Sequence, residues 1–296
     1  MRALLIAEWL RLRRRLDLWL VLGGVLGLVA FSFLSAGRTE FAPIDPSMPP
    51  DLIAEIERQN AELARQMAQV RDRYLWPWSL IEVLGIGSVT FFGTAFVAVS
   101  WLGSEYTWGT IRNVLLAEPR RGRVFAARVS SIGLVALGQV AALLVLGAIL
   151  PAFLSISGTG NPPPLSPIAV AATAAVVWLW AVAFAALGIL AVVVTRSAVF
   201  AFVLATGYAF AEQVVANLGF WQQAGLAFVP KLFLLARLTA LRGDVEAAFG
   251  TTGPFAAPEL PAERLDPLLG LGVLVLWIVG LLGLAAVVFV RADIRE

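Results

Sequence analysis

Glu82 and Glu212 each interrupt a stretch of otherwise apolar residues, and Gln213 and Asn217 follow the second acid closely. A carboxyl group within hydrocarbon is costly, so an acid in such a place is a candidate for lining the path of an ion or a substrate. At 1.5 Å per residue, Glu212 stands roughly 24 Å from Arg196, in the outer half of its segment. From there it could line an exit vestibule or pair with Lys231 or Arg237. Glu82 lies a few residues from Trp76 and Trp78 and is read as reaching the outer interface. Neither acid has the companions that covalent catalysis needs. With no cysteine and no histidine, thiol nucleophiles, disulfides, zinc sites and a histidine base are excluded. The single lysine, Lys231, sits in "FVPKLFLL", without the glycine-rich turn that a phosphate-cradling lysine requires. No catalytic residue, metal ligand set or cofactor is therefore expected in this chain, and any energy from ATP has to come through a partner.

The elements that position these acids follow from composition. Hydrophobic residues make up 59% and charged residues 14%, with a mean hydropathy of +0.84, where a soluble domain is about a quarter charged. A bilayer core needs about 20 apolar residues per helix. Six stretches qualify: 16–36, 79–102, 129–153, 168–194, 198–218 and 267–290. The expected fold is thus an all-α integral membrane protein of six transmembrane helices forming a single domain over 1–296. The first stretch is read as a retained anchor, because Leu34 stands where a cleavable signal would place a small residue.

Orientation follows from the arginines. Arg2, Arg11, Arg13, Arg14, Arg15, Arg112, Arg120, Arg121, Arg123, Arg128, Arg196, Arg291 and Arg295 fall on one side, thirteen against six acids, and the remaining charges are predominantly acidic. The basic side should be cytoplasmic, which places both termini inside a prokaryotic plasma membrane. Ahead of the first span, "MRALLIAEWLRLRRRLDLW" sets Leu5, Ile6, Trp9, Leu12 and Leu16 on one helical face. Trp9, Arg11, Arg13, Arg14 and Arg15 mark residues 1–15 as an interfacial amphipathic helix against the inner headgroups.

Two outer segments carry more than a turn. Within 37–78, residues 51–74 read as an amphipathic helix in which Ile56, Leu63 and Val70 repeat every seven residues beside Ile53, Asn60, Met67 and Tyr74. It either lies on the protein's own outer face or pairs with a second copy or a substrate. The stretch 219–266 opens with an apolar run broken by Gly225 and Pro230, a re-entrant or interfacial element, and ends in a Pro-rich loop. Small residues at close spacing, Gly23 with Gly27, Gly85, Gly87 and Gly93, and Ala181, Ala185 and Gly188, allow helices to approach closely in lipid.

The most informative polar stretch is "GSEYTWGTIRNVLLAEPRRGRVFAAR", residues 103–128. Its Gly-Thr turn and Pro119 bracket a short helix from Thr110 to about Ala117, with Ile111, Val114, Leu115 and Leu116 exposed and lacking a partner surface. Here the sequence resembles the permease subunits of type-2 ABC exporters. The resemblance rests on Glu105-Tyr106-Thr107-Trp108-Gly109-Thr110-Ile111-Arg112, then Pro119-Arg120-Arg121-Gly122-Arg123 and Ala127-Arg128. It extends loosely to the N-terminal helix, the six-helix layout and the broken element before the last span, whereas the helix at 51–74 departs from many relatives. The resemblance implies that residues 109–117 couple to an ATP-binding subunit: Gly109, Thr110, Ile111, Arg112, Val114, Leu115 and Leu116 would form the contact, with Glu105 and Arg112 fixing its base. It further implies two ATP-binding subunits that bind ATP and Mg, a second permease subunit, membrane lipid around the chain, and no nucleic acid. Two other classes remain open. A secondary transporter or channel-like protein would rely on Glu212 and Glu82, though no internal repeat is evident. An intramembrane enzyme would need a nucleophile and a base.

Overall fold

The computed structural model describes residues 2–36, 49–72, 74–76, 78–86, 90–154, 166–216, 221, 224–226, 228–229, 232–234 and 267–291. Among them there is no strand. The helices are α1 (Arg2–Arg13), α2 (Leu16–Ala36), α3 (Pro50–Asp72), α4 (Ser79–Ile86), α5 (Thr90–Thr107), α6 (Thr110–Ala117), α7 (Arg121–Leu154), α8 (Pro167–Thr195), α9 (Ala198–Ala216) and α10 (Pro267–Arg291).

Four of these, α2, α7, α8 and α10, are long and apolar enough to cross a membrane. The six expected spans are thus found in part. The expected span 79–102 comes as two helices, α4 and α5, on either side of residues 87–89, which lie outside the described residues, and α5 continues to Thr107. In α9 the apolar part is the shorter run Ala198–Glu212. Most of the expected re-entrant element at 219–266 also lies outside the described residues.

Helix α8 is the axis of the bundle. Its apolar window is 72% buried, against 22% for α2 and 28% for α10. It packs most extensively on α5, then on α10, α9 and α7. Ala181, Ala183, Ala185 and Ala186 are all buried, so neighbouring backbones come close. A Cβ at Gly188 would meet Val99 at 2.9 Å, and one at Gly103 would meet Ala198 at 2.6 Å, so glycine is required where α5 crosses α8 and α9. Gly23 and Gly27 face open space and bring no described element close. Ser166 accepts a hydrogen bond from the Ile168 amide with Pro167 at the first helical position, which starts α8. Arg196, in the left-handed region at φ 55°, ends it and turns the chain into α9.

Helices α2 and α10 present Trp19, Leu20, Phe31, Leu268, Leu276 and Val279 outward, the side chains a helix shows to lipid rather than to water. The start of α7, the C-terminal end of α10 and α1 meet at one end of the bundle: α1 packs on α7, and Arg121 Nη1 donates to the Val290 carbonyl at 3.0 Å. A core of Leu12, Trp101, Leu102, Ile111, Phe125 and Phe289 closes this basic end.

Candidate functional site

Four elements bring charge to the basic end. The last turns of α5 carry Ser100, Ser104 and Glu105; the α1–α2 junction carries Arg15 and Asp17; α1 supplies Glu8 and Arg11; and the first turns of α7 supply Arg128. Arg15 Nε donates to Asp17 at 3.1 Å and Nη1 donates to the Ser104 hydroxyl at 3.0 Å. That hydroxyl in turn donates to the Trp101 carbonyl at 2.8 Å. The Ser100 hydroxyl donates to Asp17, and Arg15 Nη2 reaches Ser100 Oγ at 3.4 Å. The start of α2 is thereby laced to α5. Glu8 pairs with Arg11 at 3.5 Å while itself 2% exposed.

Beneath this lattice lies a buried ion pair of Glu105 with Arg128, 8% and 3% exposed. The Phe289 ring lies 5.9 Å from Arg128 Cζ, and the remaining guanidinium donors Nε and Nη1 meet no acceptor among the described residues. Glu105 stands beyond the inner end of its expected span. Burial pushes its carboxyl above the ordinary value of 4.5, against the pull of Arg128; the neighbouring Glu8 acts with burial, and Arg11 and Arg15 act with Arg128. Glu105 thus pairs with Arg128 and not with Arg112. Arg112 is exposed and makes no ion pair among the described residues.

Directly after α5, Gly109 adopts φ 64°, a left-handed turn that lets α6 start at Thr110 at an angle to its predecessor. Glu118, extended, ends α6 and pairs with Arg123 at 3.6 Å across the elbow into α7. Residues of the short helix divide unequally. Ile111, 3% exposed, is rooted in the core beside Tyr106 and Leu115. Val114 and Leu115 are half-buried. Only Leu116, at 76%, and Trp108, at 79%, project as large apolar groups. The expectation of four exposed apolar residues is therefore corrected: the free surface is Trp108 with Leu116, and Ile111 is an anchor. A shallow groove beside them is lined by Arg112, Leu115, Leu116, Pro119 and Arg121.

The N-terminal helix departs from its expected outward apolar face at Leu12 alone among the described residues. Glu8 and Leu12 turn inward, while Ile6, Trp9 and Leu10 are exposed and Leu16, in α2, is exposed as well. Arg11, Arg13 and Arg14 are exposed and Arg15 is half-buried. Asp17, Ser100, Ser104 and the pairing roles of Arg15 and Arg128 escaped the sequence reading. The one signal for them was the polar set Ser100, Ser104 and Glu105 at helical spacing in an apolar helix.

The acids of the other end do not join this cluster. Glu212, 5% exposed on α9, is hydrogen-bonded to the Tyr208 side chain one turn earlier. The Tyr208 ring lies 6.3 Å from that of Trp277, whose indole N–H donates to the Leu232 carbonyl at 2.8 Å. Glu82 is half-buried in the first turn of α4. Asn217 and the side chain of Gln213 lie outside the described residues. Compared with known proteins, the chain matches no family model, no curated protein and no solved structure.

Proposed function

We propose that this chain is the transmembrane permease subunit of an ATP-driven exporter of the type-2 ABC class, acting in a prokaryotic plasma membrane with both termini in the cytoplasm. The observation that carries the reading is α6. It is an eight-residue helix, fixed to the bundle through Ile111, offering Trp108 and Leu116 to a partner at the end where the arginines gather. Such a helix has little reason to project a tryptophan and a leucine unless another chain covers them.

In this reading two ATP-binding subunits hold ATP and Mg and dock on the short helices of two permease subunits. Displacement of α6 passes through Ile111 and the Gly109 turn into α5, and from α5 along its seam with α8. The six-span layout, with α4 and α5 together and α9 crossing the bilayer, belongs to the same proposal. The chain itself contributes a conformational bias rather than bond chemistry.

The test is affinity purification of the tagged chain from gently solubilised native membranes, with ATPase activity assayed on the eluate. The expected result is recovery of an ATP-binding subunit, and loss of most of that recovery with Trp108→Ala plus Leu116→Asp while the variant remains monodisperse. A chain that elutes alone under these conditions sinks the proposal. A second reading, a secondary transporter, draws on the burial of Glu212 in α9. It requires transport by the purified chain on an ion gradient without any ATPase.

A further inference from the structure

The pairing of Glu105 leaves the elbow around α6 strongly basic. Between Tyr106 and Val124 stand four arginines, Arg112, Arg120, Arg121 and Arg123, and one acid, Glu118. Glu118 is taken by Arg123, as Glu105 is by Arg128. Arg112 and Arg120 are exposed and make no ion pair among the described residues. Arg196, exposed at the end of α8, adds to this field. With Arg121 it acts electrostatically on Tyr106, which packs beside Ile111 at the root of α6.

Arg112 stands one helical turn before Leu116, so the two share a face of α6. Both line the groove with Leu115, Pro119 and Arg121. Any surface that covers Leu116 therefore takes the Arg112 guanidinium out of water with it. A guanidinium buried without an acceptor is costly, and no acid of this stretch is left to supply one. The acceptor has to come from whatever docks. Depth argues against the bilayer as that surface. Helix α7 is 34 residues long and carries no charge after Arg128. Arg121 thus stands roughly 12 Å ahead of the apolar run at 1.5 Å per residue, whereas a headgroup layer is only about 5–8 Å deep.

We propose that the surface receiving α6 is acidic: an apolar cleft that takes Trp108 and Leu116, rimmed by carboxylates that meet Arg112 and Arg120. The proposal rests on the transport reading and names the chemistry of its partner, so the rim belongs to the ATP-binding subunit. The two apolar side chains hold the complex together. The arginines set its approach and orientation, because charges at the edge of an interface act chiefly on encounter and on the rejection of wrong partners.

The chain has a single lysine, Lys231, so Arg112→Lys places a second amine side chain at the groove. A water-soluble carbodiimide joins such an amine, without a spacer, to a carboxylate that it touches. In inside-out vesicles of native membranes, the full chain with Arg112→Lys should link to an Asp or Glu of the ATP-binding subunit several-fold more than the native chain does. Peptide mass spectrometry identifies the acid. Separately, Arg112→Glu should cut recovery of the ATP-binding subunit about tenfold at low salt while the variant stays monodisperse. Recovery with the native chain should weaken as salt rises. A complex that keeps its ATP-binding subunit yet gives no link above the native chain overturns this inference and leaves the transport reading standing. So does recovery indifferent to both salt and Arg112→Glu. A link to Asp293 or Glu296 of the same chain, or to a serine-headgroup lipid, overturns it as well, since the groove is then covered from within or by the membrane. Failure to recover any ATP-binding subunit sinks the transport reading, and this inference with it.

Discussion

Glu105 and Arg128 are poised rather than locked. The pair is buried, and two of the arginine donors meet no acceptor among the described residues. Taking both charges out of water costs about what their attraction returns, so such a pair stands near balance. Because burial raises the folded carboxyl above 4.5, the folded chain holds this proton over a range where the unfolded chain has released it. Stability is then fullest below about the ordinary glutamate value and falls as pH rises through the window up to the folded value. Thermal unfolding of the solubilised chain should show that decline, and Glu105→Gln should flatten it. Arg128→Met removes the group that pulls the carboxyl down, so the decline should extend to higher pH. An unchanged profile in both variants would show that another group sets it. Nothing in the sequence pairs these two residues. They stand 23 apart on different helices, and only the packing of α7 against α5 brings them together.

At the scale of elements, punctuation was legible and pairing was not. Gly109 and Pro119 bracket α6, and its ends fall where those residues place them. Over the expected span 79–102 the described residues fall in α4 and α5, and α5 runs on to Thr107, because hydropathy does not mark where a helix ends. On α1, Leu12 departs from the exposed apolar face for a physical reason. Ile6 and Trp9 face outward, whereas Leu12 lies one turn from Glu8, whose carboxylate must find protein. Close approach gives a sharp prediction. Gly103→Val drives a side chain into Ala198, whose Cβ, Cα and N all lie within 3 Å of the new Cβ. It should cost about 1–3 kcal/mol as overpacking. Gly272→Ala enters open space and should be neutral or gain up to about 1 kcal/mol from helix propensity. Detergent-resistance or thermal-shift measurements on the two variants separate them, and equal effects would disprove the tight α5–α9 crossing.

For the whole molecule, sidedness is the property that makes a site at one end meaningful. Helix α1, the α5–α6–α7 elbow and the close of α10 share one end. Single-cysteine labelling of sealed vesicles checks which side that is. Arg13→Cys and Trp108→Cys should react with an impermeant maleimide only in inside-out vesicles, and Glu57→Cys only in right-side-out ones. Labelling of Arg13→Cys and Trp108→Cys from opposite faces would break the arrangement. Composition alone gave the helical class, because so apolar a chain cannot cover itself with polar groups. The arginine distribution gave the grouping of ends. Which helix is central was not readable, since α8 and α10 are similarly apolar and only their burial differs.

The central place of α8 also bears on how the protein is made. A ribosome delivers residues 167–195 after α2, α5 and α7 have already emerged. Until then the face of α5 that receives the alanines of α8 has no occupant, whereas Thr94 and Gln139 already join α5 to α7. Assembly is therefore an insertion into a gap rather than a sequential stacking. Helices α2, α5 and α7, which pack on one another, leave that face of α5 to lipid while the residues up to α8 are translated. A truncated chain ending before Pro167 should be the species that quality-control proteases remove first.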